Sequence, residues 1–277
     1  MTERDNSQKL APQVQASPVS ETNNDPFSFL RETYIVDLPS GGKYYQDPLL
    51  KKGQLELLCM TAVHEDILAN QNYIKKGVVF DKFIDAITVD NIDPSKLLLA
   101  DRAAIMHAAR SAAYGSTFIA NMQCSSCGHK NKVEVDLSDA RHSQGIGRTD
   151  DGSHVTSDGK IKIRLPKCSE KAKRDYFVTL RMMDGELESV VNRVMKRGTN
   201  LDGLAAMITE VDGLVETAQI NTFVRVLPAE DSAYINQMVS KLVPSNRLFH
   251  DFVCEECGHE EEGKEVGLSV NFFRPEL

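Results

Sequence analysis

Four of the six cysteines fall into two short segments of one pattern. NMQCSSCGH (residues 121–129) carries Cys124 and Cys127, and DFVCEECGH (residues 251–259) carries Cys254 and Cys257, so both read C-x-x-C-G-H. Two thiolates two residues apart in a tight turn can occupy adjacent corners of a tetrahedron about Zn²⁺, and the glycine that follows permits the turn. Each pair supplies half of such a site. The economical arrangement joins both knuckles as one four-cysteine centre holding one zinc ion, with the flanking strands pairing as in a zinc ribbon. The 126 residues between Cys127 and Cys254 then form an insertion between the two halves of a single metal module. Four thiolates leave no open position for a catalytic water, so the ion is expected to be structural. Its removal is expected to unfold the junction, because such sites contribute on the order of 10 kcal/mol or more in apparent binding free energy.

Other uses of these residues fit less well. A thioredoxin-like pair needs its C-x-x-C at a strand-to-helix junction, whereas strand-like segments follow both motifs here. His129 and His259 could each replace a thiolate, but with four cysteines present they are expected to be turn residues off the metal. Cys59 and Cys168 stand alone and are expected to be small buried or half-buried side chains. Paired motifs of this kind indicate a metal site in a reducing compartment in preference to a disulfide framework.

The elements that must position the knuckles follow from periodicity. The segment 33–45 (TYIVDLPSGGKYY) predicts an extended stretch, a Gly-Gly turn and a second extended stretch. Thr61 can cap a helix through Glu65, Ile67 and Leu68. Phe80, Phe83, Ile84 and Ile87 recur at helical spacing, and Ser95 precedes a helical run with Leu98, Ile105, Met106 and Ala109. Lys132–Leu137 and Lys160–Leu165 alternate as strands, with a polar loop over 141–159 between them. Helical faces follow at Leu187, Val190, Val191, Val194 and Met195, and then, after Gly198, at Leu201, Leu204, Ala205 and Ile208. Pro228 suits the first turn of a helix through Ile235, Met238, Val239 and Leu242, which Pro244 stops.

The expected fold is therefore α+β: helical N-terminal and inserted regions around a small β, zinc-ribbon-like module built from the two distant knuckles. Residues 1–26 are rich in Ser, Gln, Asn, Asp and Pro and read as a disordered tail. A small sheet plus helices occupies 27–116, the bipartite metal module 117–140 and 245–277, and a strand-plus-helices insertion 141–244.

Composition narrows the function. A chain of 277 residues with 41% hydrophobic content can bury a sizeable core, and no apolar stretch approaches a bilayer span or a signal-peptide core. A formal charge of −8 gives no field to gather phosphates, so protein partners are favoured over nucleic acid, membrane or a small-molecule substrate. No phosphate-binding loop, dinucleotide fingerprint, nucleophile elbow or H-E-x-x-H is present. His64, Glu65 and Asp66 point in three directions on one helix and read as a solvated face. Asp101 and Arg102 read either as a buried ion pair or as exposed charge. No enzyme is expected.

The order of further segments resembles the baseplate hub and hub-assembly proteins of T4-like contractile-tailed bacteriophages. It runs LPSGGKYY (38–45), MTAVHEDILAN (60–70), LADR (99–102), ARSAAYG (109–115), the first C-x-x-C-G, LPAEDS (227–232), the second C-x-x-C-G and NFFRP (271–275). The resemblance spans roughly residues 33 to 275 and implies a non-enzymatic structural or assembly-chaperone role. It implies other tail and baseplate hub proteins as partners, and a location in the host cytoplasm during assembly or in the virion baseplate. The alternative is a zinc-ribbon protein of nucleic-acid binding or transcription, against which Asp251, Glu255, Glu256, Glu260, Glu261 and Glu262 ring the second knuckle. Partner contact is expected at the tail before residue 27, the Gly-Gly turn and the Phe272–Phe273 pair, unless those phenylalanines pack in the chain's own core.

Overall fold

The structure, a computed structural model, describes residues 27, 30–267 and 270–273. The expected tail over 1–26 lies outside the described residues. Strand β1 (Thr33–Asp37) pairs antiparallel with β2 (Gln54–Leu58), register Tyr34 to Leu57 and Val36 to Leu55. Those four side chains are buried while Ile35 is exposed, as alternation demands. The second extended stretch expected after the Gly-Gly turn does not form; residues 39–44 are consecutive turns and the partner strand comes later. Gly42, at φ +75°, leaves no room for a side chain, since a Cβ there would lie 2.6 Å from the carbonyl oxygen of Leu50.

Helices α1 (Ala62–Ala69), α2 (Gln71–Lys76) and α3 (Val79–Ile87) follow. Thr61 caps α1 as expected, and His64 Nδ1 accepts the Thr61 amide at 2.9 Å. His64 is thereby buried, edge-on to Phe83, and so leaves the solvated face expected of the trio, on which Glu65, accepting the Tyr114 hydroxyl, and Asp66 remain exposed. Ser95 belongs to a 3-10 turn, Pro94–Lys96, and α4 (Leu99–Tyr114) starts four residues later. Asp101 and Arg102 each take a different partner. Asp101 is fully buried and accepts the Ser40 amide at 2.9 Å and the Tyr45 hydroxyl at 2.5 Å, while Arg102 pairs with Asp81 and donates to the Pro94 carbonyl at 3.0 Å. Burial pushes the Asp101 carboxyl up, against the lowering effect of these hydrogen bonds.

From α4 the chain enters β3 (Thr117–Gln123) and β4 (Lys130–Asp136), a hairpin around the first knuckle. The region expected as a polar loop carries two short strands, β5 (Arg141–Ser143) and β6 (His154–Val155). Pro166 opens helix α5 (Pro166–Ala172) immediately after β7 (Lys160–Arg164). Then come β8 (Phe177–Arg181), α6 (Gly185–Met195), α7 (Asn200–Met207) and β9 (Ile208–Val211). Strands β6-β7-β8-β9 form one antiparallel sheet in that order, and Ile208 belongs to β9, not to the helical face expected for it. Helix α8 (Thr217–Val226) precedes α9 (Ala229–Leu242), which begins one residue after Pro228. The buried Asp231 of α9 caps α5 by accepting the amides of Lys167 and Cys168 at 2.9 and 2.8 Å.

The chain returns through β10 (Ser245–Arg247), which pairs with β5, to the hairpin β11 (Phe249–Val253) and β12 (Glu260–Glu265) around the second knuckle. The strand after this knuckle is the acidic EEEGKE, and Val270 lies in the closing 3-10 turn (Val270–Phe273). Phe272 and Phe273 are core residues. Phe272 meets Phe118 at 4.9 Å and Phe273 meets Phe83 at 5.0 Å between ring centroids, which removes the pair from the contact surfaces expected. The buried Arg110 fixes this strap by donating to the carbonyls of Phe272, Gly115 and Thr117 at 3.1, 2.8 and 3.2 Å. Among the described residues no helix is long and apolar enough to cross a membrane.

Two consequences can be measured. Asp101→Ala strands the Ser40 amide and the Tyr45 hydroxyl in the core and is expected to cost roughly 3 kcal/mol in urea unfolding. His107 is buried, with Asn246 Nδ2 3.2 Å from its Nδ1, and burial lowers its pKa from 6.5 to about 4. The unfolded chain therefore takes up a proton that the folded chain refuses. Stability from this group is complete above about pH 6.5 and falls toward pH 4 by on the order of 3 kcal/mol. Unfolding titrations of His107→Gln should lack that component.

Candidate metal centre

Each knuckle is built locally from hydrogen bonds that its own sequence supplies. The Cys124 amide donates to the His129 carbonyl at 2.8 Å and the Gly128 amide to the Cys124 carbonyl at 3.0 Å; the counterparts from Cys254 and Gly258 are 2.9 and 2.9 Å. Gly128 and Gly258 lie at φ +76° and +69°, the left-handed region in which glycine carries no Cβ penalty. The C-x-x-C-G spacing is thus the spacing of one turn, made twice.

The turns face one another. All four Sγ atoms lie within 4.8 Å of one another, with Cys124 to Cys257 at 3.8 Å and Cys127 to Cys254 at 3.6 Å. A tetrahedron with Zn–S bonds of about 2.3 Å has S–S edges of about 3.8 Å, which these two separations match. A disulfide requires about 2.05 Å, and all six cysteines are free. Cys124 and Cys254 are buried beneath the turns, while Cys127 and Cys257 are exposed at the rim.

The electrostatics also suit a cation. Burial alone would raise the Cys254 thiol, but the amides of Cys257 and Glu256 and the Cys127 thiol outweigh it and bring Cys254 down to about 6. For Cys127 the His129 backbone contact lowers the pKa, and the surrounding sulfurs with Cys257 foremost overcome it, leaving the thiol at about 12. These residues could hold a metal ion. His129 and His259 stand outside the four-sulfur cluster; His259 Nε2 instead lies 3.5 Å from the Ser125 hydroxyl. Cys59 and Cys168 are half-buried and separate from it, as expected.

The two hairpins belong to separate two-stranded sheets, and among the described residues no backbone ladder joins β3-β4 to β11-β12. Besides sulfur and the Ser125–His259 contact, side-chain to backbone bonds that sequence reasoning missed join them. Asn131 Oδ1 accepts the Glu255 amide at 2.9 Å, and Glu261 Oε1 accepts the Ser125 amide at 2.6 Å. Lys264 pairs with Glu261 at 2.8 Å and donates to the Gln123 carbonyl. The legible signal is positional, since Asn131 and Glu261 both lie seven residues after the first cysteine of their knuckle.

The sequence model of the family described as "T4 bacteriophage base plate protein" matches residues 31–274. The chain belongs to that family, and so to the baseplate proteins of T4-like phages. No curated protein and no solved structure matches it.

Substituting Cys254→Ser is expected to abolish stoichiometric metal binding, read by native mass spectrometry with metal analysis as one ion per wild-type chain and none in the variant. Retention of the ion at full occupancy would break the pairing of the distant knuckles.

Proposed function

We propose that the protein is a non-enzymatic structural or assembly-chaperone component of the baseplate hub, whose two halves are clamped by one zinc ion on Cys124, Cys127, Cys254 and Cys257. The observation that carries this reading is the four-sulfur cluster inside a chain that matches a baseplate family over 31–274. Zinc is favoured because an all-thiolate tetrahedral set suits it, and such a closed set has a structural role. On this reading the two knuckle hairpins act as a zinc-ribbon-like module over 117–140 and 245–277, with 27–116 and 141–244 as the regions it links.

The acidic balance and the lack of a nucleotide-binding or hydrolytic motif favour other tail and baseplate proteins as partners over nucleic acid, membrane or a small substrate. At the second knuckle, Glu255, Glu256, Glu260 and Glu262 are exposed, a surface that repels phosphate. Assembly would begin in the host cytoplasm.

Complementation tests this directly. A phage deprived of the chain is expected to yield no complete contractile tails by electron microscopy; wild-type protein should restore them and Cys254→Ser should restore only a small minority. Normal tails without the chain would refute the assembly role, and salt-dependent DNA binding by the purified protein would favour the nucleic-acid reading. Mass spectrometry of purified particles separates a resident hub protein from a chaperone.

A further inference from the structure

The two halves of the metal centre meet reciprocally, and the relation extends beyond sulfur. The first cysteine of each knuckle is buried and sits against the second cysteine of the other, at 3.8 Å for Cys124 with Cys257 and 3.6 Å for Cys254 with Cys127. At the seventh position after the first cysteine, each half presents an acceptor. Asn131 takes the amide of Glu255, the residue after Cys254, and Glu261 takes the amide of Ser125, the residue after Cys124. Neither bond lies within one hairpin; each spans the junction, and no sheet ladder duplicates it.

The two acceptors are held by different means. Asn131 is 1% exposed and anchors itself by donating to the carbonyls of Met122 and His129 at 3.3 and 3.4 Å, which also fixes its oxygen toward Glu255. Glu261 is held from the side by Lys264, whose ammonium also donates to the Gln123 carbonyl of the opposite hairpin. A neutral amide on one side and a paired carboxylate on the other perform the same task.

We infer that Asn131 and Glu261 are reciprocal positioning residues that register the two half-sites against each other, so that the ion enters a junction already aligned. This rests on the metal reading above, but the clasp itself is made of protein groups and can be observed without metal. Because each acceptor binds the amide adjacent to a buried cysteine, its loss frees that cysteine's turn to move relative to the opposite pair. Residues that orient ligands from outside the coordination sphere typically change metal affinity about 10- to 100-fold when removed.

The experiment uses the full chain. Metal-free protein is compared with zinc-loaded protein by hydrogen exchange resolved at Ser125 and Glu255, and zinc affinity is measured by chelator competition for wild type, Asn131→Ala, Glu261→Ala and Glu261→Gln. Cobalt substitution monitors thiolate coordination in each. The expected result is protection of both amides in the metal-free chain. Affinity should fall about 10- to 100-fold in each alanine variant with four-thiolate cobalt spectra retained, and Glu261→Gln, which keeps an acceptor oxygen, should return to within a few-fold of wild type. Unprotected amides in metal-free protein, or alanine variants that bind zinc as tightly as wild type, would overturn the clasp. Should an alanine variant fail to fold, Glu261→Gln and the exchange measurement on wild type still decide. A wild-type chain that takes up no metal while both amides are protected would sink the zinc reading and leave the clasp standing.

Discussion

Four sulfur atoms held within 4.8 Å of one another, drawn from two points separated by 126 residues, are the constraint on which the organisation of this chain turns. Neither hairpin that carries them is large enough to fold on its own surface, and the strands of one do not extend the sheet of the other. Their association rests on the sulfur cluster and the side-chain bonds around it, together with the β5-β10 ladder beside them and the burial of Met122 and Phe252 in the common core. The hairpin β3-β4 continues directly from α4, the helix that also holds Asp101 and Arg110, so the cluster is tied through one rigid element to the N-terminal sheet and to the closing strap.

Two buried charged groups on α4 show how that element is fixed at both ends. Asp101 gathers the turn around Ser40 and Tyr45 near the start of the helix, and Arg110 gathers the strap and the entry to β3 near its end. Each is held by neutral donors or acceptors. Such an arrangement is demanding in geometry, because every bond must be present for the burial to be tolerated. It favours a single packing of the helix against its neighbours.

The metal ligands are legible in sequence because a C-x-x-C-G turn is encoded locally, and so are the helices whose apolar positions recur at 3.6-residue spacing, such as Phe83, Ile84 and Ile87 in α3. The sheet β6-β7-β8-β9 is largely hidden. Its outer strand β6 has two residues, and Phe177–Arg181 is buried at its three central positions, so neither shows the alternation that marks a half-buried strand. His64 misleads because its burial follows from a capping bond back to Thr61, and Asp101 because its partners lie 56 and 61 residues away. The clasp residues Asn131 and Glu261 share an offset but differ in type, so a search by residue identity passes over what the common position makes plain. Charged EEEGKE becomes a strand through the turn that precedes it, against its own propensity.

The separation of the knuckles also sets an order in time. A chain emerging from the ribosome completes the first knuckle while everything between Cys127 and Cys254 has still to be made, and the lone pair of thiols must wait as an unfinished half-site. Closing a loop of that length costs roughly 4 kcal/mol in chain entropy if the intervening residues are still disordered, and far less once they have folded and carried the ends together. Closure after the intervening strands and helices have packed is thus the less costly route, and misfolding of that stretch works against bringing the two thiol pairs together. The cluster acts as a seal that only a correctly built interior can bring together.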